Sequence, residues 1–164
     1  MWVRDGRDED LPRIQSIYNH YIEHSHATFD LEKRSLEDRQ EWFGGFAETG
    51  PHRLFVVEVS DRVEGFASSR AFHERLAYSR SVATSVYLDP DSCSAGLGTA
   101  LYDRLLDQLG EEASVHRAYG GVALPNEGSV ALHQSFGFKQ VALYTEVGFK
   151  FGRYWDVAWF ERAL

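Results

Sequence analysis

Residues 79–106 read SRSVATSVYLDPDSCSAGLGTALYDRLL. The first half is rich in β-branched residues and stops at Pro90, as a strand does. In the second half Leu97, Leu101 and Leu105, with Leu109 beyond, recur at steps of four, which predicts a helix with one apolar face. Between them lies a turn of small residues with Gly96 and Gly98 at the helix mouth. Strand, tight turn and helix in succession commit this part of the chain to a sheet covered by helices, with a right-handed crossing. The same stretch has the makings of an anion site. The first N–H groups of a helix lack intrahelical partners and point outward with the positive end of the dipole, and glycine lets a ligand approach the backbone. A phosphate can be held there by backbone alone. No lysine or arginine lies between Asp89 and Tyr102, and Asp91 sits inside the loop. The missing cation removes one charge-assisted hydrogen bond, roughly 1.5–3 kcal/mol if buried. A plain helix start eased by glycine fits this stretch equally well. A Walker loop does not, because no Lys-Ser/Thr follows Gly98. Nor does a dinucleotide fingerprint, because Leu101 stands where its third glycine belongs.

Working outward, WVRD near the N-terminus predicts a short strand, and residues 8–25 a helix with Leu11, Ile14, Ile17, Tyr18 and Tyr21 on one face. Residues 35–46 predict a second helix, opened by Ser35 with Asp38 three on, a variant of the capping box. Two β-rich runs flank Ser60-Asp61-Arg62 as a hairpin. After the central helix come a strand in RAYGGVAL, a helix from Asn126 to Gly137, and two closing strands. The order is β-α-α-β-β-β-α-β-α-β-β, a mixed sheet of the α/β or α+β class in a single domain over residues 1–164.

The net charge of −8 argues against nucleic-acid and anionic-membrane partners. No apolar run approaches the roughly 18 residues of a membrane span, and MWVRDGRDED is too charged for a signal peptide. A cytoplasmic protein is expected. The one cysteine, Cys93, excludes an intrachain disulfide and a cysteine-based zinc cluster. It would stand near a helix N-terminus, where a thiol can be activated, but a small residue tolerated in a loop describes it as well. His20 and His24 lie four apart with His26 beyond. That spacing can bind a metal, yet it fixes no third ligand, and no metal site is expected. No Gly-x-Ser-x-Gly elbow is present, which argues against that hydrolase class.

The stretch NEGSVALHQSFGF, residues 126–138, follows a strand, opens a helix and ends in Gly-Phe before another strand. Together with the glycine loop roughly 30 residues earlier it resembles the GNAT superfamily of N-acetyltransferases. YNHYIEHSHATFD, FHERLAY, SVYLDP, GLGTALYDRLL and EVGFKFGRYWDV narrow the resemblance to the phosphinothricin and methionine sulfoximine N-acetyltransferase subfamily, over about residues 2–163. The resemblance implies a mostly antiparallel mixed sheet of about six to seven strands with about four helices on both faces. It further implies a homodimer, and direct transfer of acetyl from acetyl-CoA to the amine of a small amino-acid-like substrate.

By the same resemblance, Val86, Tyr87 and Leu88 would pair with the pantetheine arm as an added strand does. The amides of Ser94, Ala95, Gly96, Leu97, Gly98 and Thr99 would hold the pyrophosphate, and Asn126 would contact pantetheine. His133 falls where many such enzymes place the acid for the leaving thiolate; a packed helix-face histidine is its other reading. The acceptor loop matches His73, Glu74, Arg75 and Tyr78 and the strand start Ala83, Thr84 and Ser85. There Arg75 would grip an anionic group, with a solvated surface charge as its other reading, and Phe29 and Tyr78 would either wall the pocket or belong to the core. Lys150, Arg153 and Trp155 would face a partner subunit. Two places depart from the family. Cys93 replaces the arginine or glutamine that usually opens the loop. Ala83 stands four residues before Tyr87, where the family has a catalytic glutamate. Glu74, Asp30 and Glu146 are the carboxylates that would replace it through water, and catalysis by positioning alone is the other route. A binding-only acetyl-CoA sensor is the alternative function that Ala83 raises.

Overall fold

The computed structural model describes residues 1–92 and 96–164. Cys93, Ser94 and Ala95, two of them expected phosphate-loop residues, lie outside the described residues. The elements are β1 (Trp2–Asp5), α1 (Leu11–His24), α2 (Leu36–Phe43), β2 (Leu54–Val59), β3 (Arg62–Ala71), β4 (Ser81–Leu88), α3 (Leu97–Glu111), β5 (Arg117–Ala123), α4 (Glu127–Ser135), β6 (Lys139–Lys150) and β7 (Arg153–Ala163). Among the described residues the seven strands form one sheet in the order β1-β2-β3-β4-β5-β7-β6. Every neighbouring pair is antiparallel except β4 and β5.

Side chains alternate across a strand, so β2 feeds two cores. Phe55 and Val57 pack with Leu97, Leu101, Leu105 and Leu109 of α3. Leu54 and Val56 pack with Leu11, Ile14 and Ile17 of α1. Burial on both faces is why β2 is a continuous apolar run rather than an alternating one. Two helix boundaries differ from the sequence expectation. Asp8–Asp10 form a 3-10 turn ahead of α1, because Arg4 takes the buried Asp10 carboxylate with two nitrogens at 2.8 and 2.9 Å. Helix α2 stops at Phe43 because Gly44 and Gly45 follow.

The feature that positions everything else is the short pairing of β4 with β5. It runs Ser81↔Arg117, Val82↔Ala118 and Ala83↔Tyr119, and then the strands part. At the fork the Thr84 hydroxyl donates to the Tyr119 carbonyl at 3.1 Å. Its one proton thus used, it accepts from the Tyr102 hydroxyl at 2.7 Å. From Thr84 to Leu88 the β5-facing edge of β4 has no strand partner among the described residues.

A buried lysine anchors the loop after α1. Lys150 is 3% exposed, and its ammonium donates to the carbonyls of Tyr21, Ser25 and Thr28 at 3.3, 2.7 and 2.8 Å. Burial lowers its pKa. Trp155 is buried beside it, donates its indole N–H to the Lys150 carbonyl at 2.8 Å and stacks on His26 with centroids 4.0 Å apart. Lys150 and Trp155 therefore point into their own chain, correcting the expectation that they face a partner. Arg153 is exposed, its guanidinium 4.1 Å from the Trp155 ring centroid.

Candidate active site

Two cavities meet along β4. The first, about 490 Å³, occupies the gap between β4 and β5 and opens onto the start of α3 and α4. Thr84, Ser85, Val86, Tyr87 and Leu88 form its strand wall, and Gly96, Leu97, Gly98, Thr99, Asn126 and His133 line it from the helices. The fold thus brings every described residue of the expected cofactor set to one place. Gly96 has φ 73°, left-handed backbone that glycine adopts without strain, and among the described residues no side chain caps α3. The amides of the first turn are left for a ligand, as an acyl-carrier pyrophosphate requires. At α4 the Asn126 side-chain oxygen accepts from the Ser129 amide at 3.1 Å, leaving the Asn126 NH₂ group as the donor on the cavity side.

His133 lines this cavity but is 6% exposed. Its Nδ1 lies 2.7 Å from the Ser129 carbonyl, so Nδ1 carries the proton. Its Nε2 is buried, has no partner among the described residues, and abuts Gly120, where a Cβ would stand only 2.1 Å away. Burial lowers the His133 pKa. A neutral ring whose one N–H is given to the helix has no proton for a thiolate, which corrects the expectation of a general acid and favours its packing role.

The second cavity, about 610 Å³, lies on the α1 and α2 face of the sheet and shares Thr84, Ser85 and Tyr87 with the first. On its floor Ser68 and Ser85 face each other, hydroxyls 2.9 Å apart. Ala83 lines it too, opposite Arg70 in the ladder. The expected glutamate position thus opens into this cavity without a carboxylate. Of the three substitute carboxylates only Asp30 lines it. It is occupied: Tyr18 donates to it at 2.8 Å, and Arg34 binds both its oxygens at 3.1 and 3.0 Å. Glu146 is exposed in an irregular part of β6, with φ 52°.

The loop residues expected to meet the acceptor are elsewhere. His73, Glu74, Arg75 and Tyr78 are exposed and line neither cavity. They fold on themselves: the Arg75 amide donates to His73 Nδ1 at 3.1 Å, and the His73 and Tyr78 rings lie 4.7 Å apart. Phe29 occupies the space where Gly148 lacks a Cβ, its nearest ring atom 2.2 Å from that position, and it is no cavity wall. The walls that the sequence did not flag are Tyr18, Arg39, Trp42, Ser68 and Arg70. One signal was available: Arg39 sits three residues before Trp42, on the apolar face of α2.

The acetyltransferase (GNAT) domain family matches residues 3–159. A phosphinothricin N-acetyltransferase of Streptomyces coelicolor is 46% identical over 99% of this chain and 95% of its own. An L-methionine sulfoximine/L-methionine sulfone acetyltransferase of Salmonella typhimurium is 30% identical over 100% of this chain and 95% of its own. Among solved structures, a Salmonella typhimurium protein with its cofactor acetyl-CoA superposes with a TM-score of 0.95, at 30% identity, over 100% of this chain and 94% of that one.

Proposed function

The chain belongs to the GNAT acetyltransferase family, and on that premise we propose that it acetylates the amine of a small amino acid of the phosphinothricin or methionine sulfoximine type. Acetyl-CoA is the cosubstrate, and N-acetylation is the reaction of the family. One observation carries the reading: the gap between β4 and β5 holds a cofactor-sized cavity that shares Thr84, Ser85 and Tyr87 with a second, polar cavity. A thioester laid along the free edge of β4 would meet an amine in the second cavity at that shared wall, which favours direct attack without a covalent enzyme intermediate.

The chain's own groups act as follows. Amides at the start of α3 bind the anionic end of the cosubstrate, with the Asn126 NH₂ group as a further donor. The unpaired edge of β4 orients its amide arm. No free carboxylate stands at Ala83 to neutralise the amine, and the Asp30 oxygens are already taken by Tyr18 and Arg34. Rate then comes from holding the two reactants together, with the free amine supplied by solution.

Two further parts belong to the proposal. Val141, Leu143, Tyr144, Val147, Phe149, Phe151 and Tyr154 of the β6–β7 hairpin are each 48–59% exposed, an apolar strip of the kind that pairs subunits. It supports a homodimer. Sedimentation should give a dimer mass that Phe149→Glu halves. Among the described residues no helix is long and apolar enough to cross a membrane, and a supply of acetyl-CoA favours the cytoplasm.

Calorimetric titration with acetyl-CoA tests the first cavity; micromolar affinity is about −8 kcal/mol. Thiol release on adding phosphinothricin or methionine sulfoximine tests the second. Acetyl-CoA binding with no amine-dependent thiol release across an amino-acid panel would sink the reading.

A further inference from the structure

Helix α2 carries an arginine that the fold buries without a counter-ion. Arg39 is 6% exposed, its Nε has no hydrogen-bond partner among the described residues, and no described carboxylate pairs with it. Its charge is held by ring faces instead: the guanidinium carbon lies 4.6 Å from the Tyr18 ring centroid and 4.7 Å from that of Trp42. Faces so occupied leave the in-plane N–H edge as the free surface of the group, and Arg39 lines the second cavity.

The carboxylates around it have other duties. Asp30 is bound by Arg34 and Tyr18, and Asp38 accepts from the Ser35 amide at 2.7 Å as part of the α2 cap. Glu41 is exposed. The other buried arginine with an orphan Nε, Arg53, has Asp5 at 2.9 Å and shows what a structural buried arginine looks like here. Burial lowers the Arg39 pKa, outweighing the pull of the nearby Asp30 and Asp38 carboxylates. A charge held this way costs stability unless something pairs with it.

We infer that Arg39 receives the anionic group of the acceptor, a carboxylate or phosphinate, while its amine reaches the wall shared with the cofactor cavity. The inference rests on the acetyltransferase reading and deepens it: it assigns the residue that selects amines bearing an oxyanion. A planar two-oxygen group matches the fork of N–H donors.

The test uses Arg39→Met, which keeps the volume between Tyr18 and Trp42, and Arg39→Lys, which keeps the charge. Phosphinothricin and n-butylamine are the acceptor probes. Arg39→Met is expected to raise the phosphinothricin KM by about tenfold or more, with Arg39→Lys between it and the wild type. The acetyl-CoA Kd should not move, and the melting temperature of Arg39→Met should equal or exceed that of the wild type. A merely structural arginine would show the opposite pattern, a lower melting temperature with an unchanged KM, and that result overturns the inference. So does a wild type that acetylates n-butylamine as well as phosphinothricin. Calorimetry with phosphinothricin in the presence of coenzyme A separates the two levels. Binding that Arg39→Met abolishes, without any acetyl transfer by the wild type, upholds the anion site and overturns the transferase reading.

Discussion

On the α3 side of β4 the cavity is made of backbone: a strand edge without a partner, a left-handed Gly96, and the first amides of a helix. On the α1 and α2 side it is made of side chains: Tyr18, Arg39 and Trp42 from helices, Ser68 and Arg70 from β3, Ser85 from β4. On the proposed reading the backbone side would recognise what every acyl-CoA has in common, amides and a pyrophosphate, so its residues need only be small and correctly folded. The side-chain side must tell one amine from another, and that takes charges and rings in a fixed arrangement. Binding of the common cosubstrate should therefore tolerate changes that alter acceptor choice, and the reverse.

The sharpest way to break this division is Ala83→Glu. It adds a carboxylate on the side-chain side only, opposite Arg70 in the ladder. With a base in place the rate at pH 7 should rise by about 10²–10⁴-fold, while the acetyl-CoA Kd stays put. The wild-type kcat/KM should climb in proportion to free amine as pH rises, and the variant should flatten that climb near neutrality. A variant no faster than the wild type would show that the protein already has a base. Next in size is Lys150→Met. The ammonium supports the loop that bears Asp30 on one cavity and Ala27 on the other. Orphaning those buried carbonyls should cost about 1–3 kcal/mol, seen as a lower melting temperature with both substrate constants worsened. A change in only one constant would mean that the cavities do not share this support.

Gly96→Val probes the backbone side alone. Nothing lies within 4 Å of where its Cβ would stand, so the cost is conformational, about 1–2 kcal/mol for left-handed backbone. Acetyl-CoA should bind about tenfold more weakly, with the acceptor KM unchanged. The smallest effect concerns His133. Burial lowers its pKa in the folded chain, so below the ordinary value near 6.5 the unfolded chain takes up a proton that the folded one refuses. Its share of stability is intact above that value and falls as pH drops below it, by at most about 1.4 kcal/mol per pH unit. Melting temperatures between pH 7.5 and 5.5 should show this slope reduced in His133→Phe. An equal slope in the variant would mean that the ring is not held neutral.

Much of this was legible before any coordinates. The leucines of α3 recur every four residues, β2 is a continuous apolar run, and Gly96 and Gly98 stand where a strand gives way to a helix. Each is a local pattern with a local physical cause: helix periodicity, two-faced burial, backbone freedom at a turn. The expected cofactor residues that the structure describes all reach one cavity for that reason, since they belong to β4 and to the starts of α3 and α4. Ala83 stood out only through the family resemblance, which implies a glutamate four residues before Tyr87. The acceptor side was not legible in this way. Arg75 read as the anion contact because it lies in a loop that resembles the family's, yet in the single chain it is exposed and lines no cavity. Arg39 drew no expectation from the sequence, which predicted only a capped helix over residues 35–46. Its burial arises only when α2 brings Arg39 over the Tyr18 ring of α1, with its own Trp42 as the second ring. His133 shows the same limit, since the Ser129 carbonyl and the Gly120 backbone decide its proton and its room. Local pattern sets where backbone is free to bind. Which side chains are buried, paired or left without a counter-charge depends on contacts between segments far apart in the chain, and tertiary packing decides it.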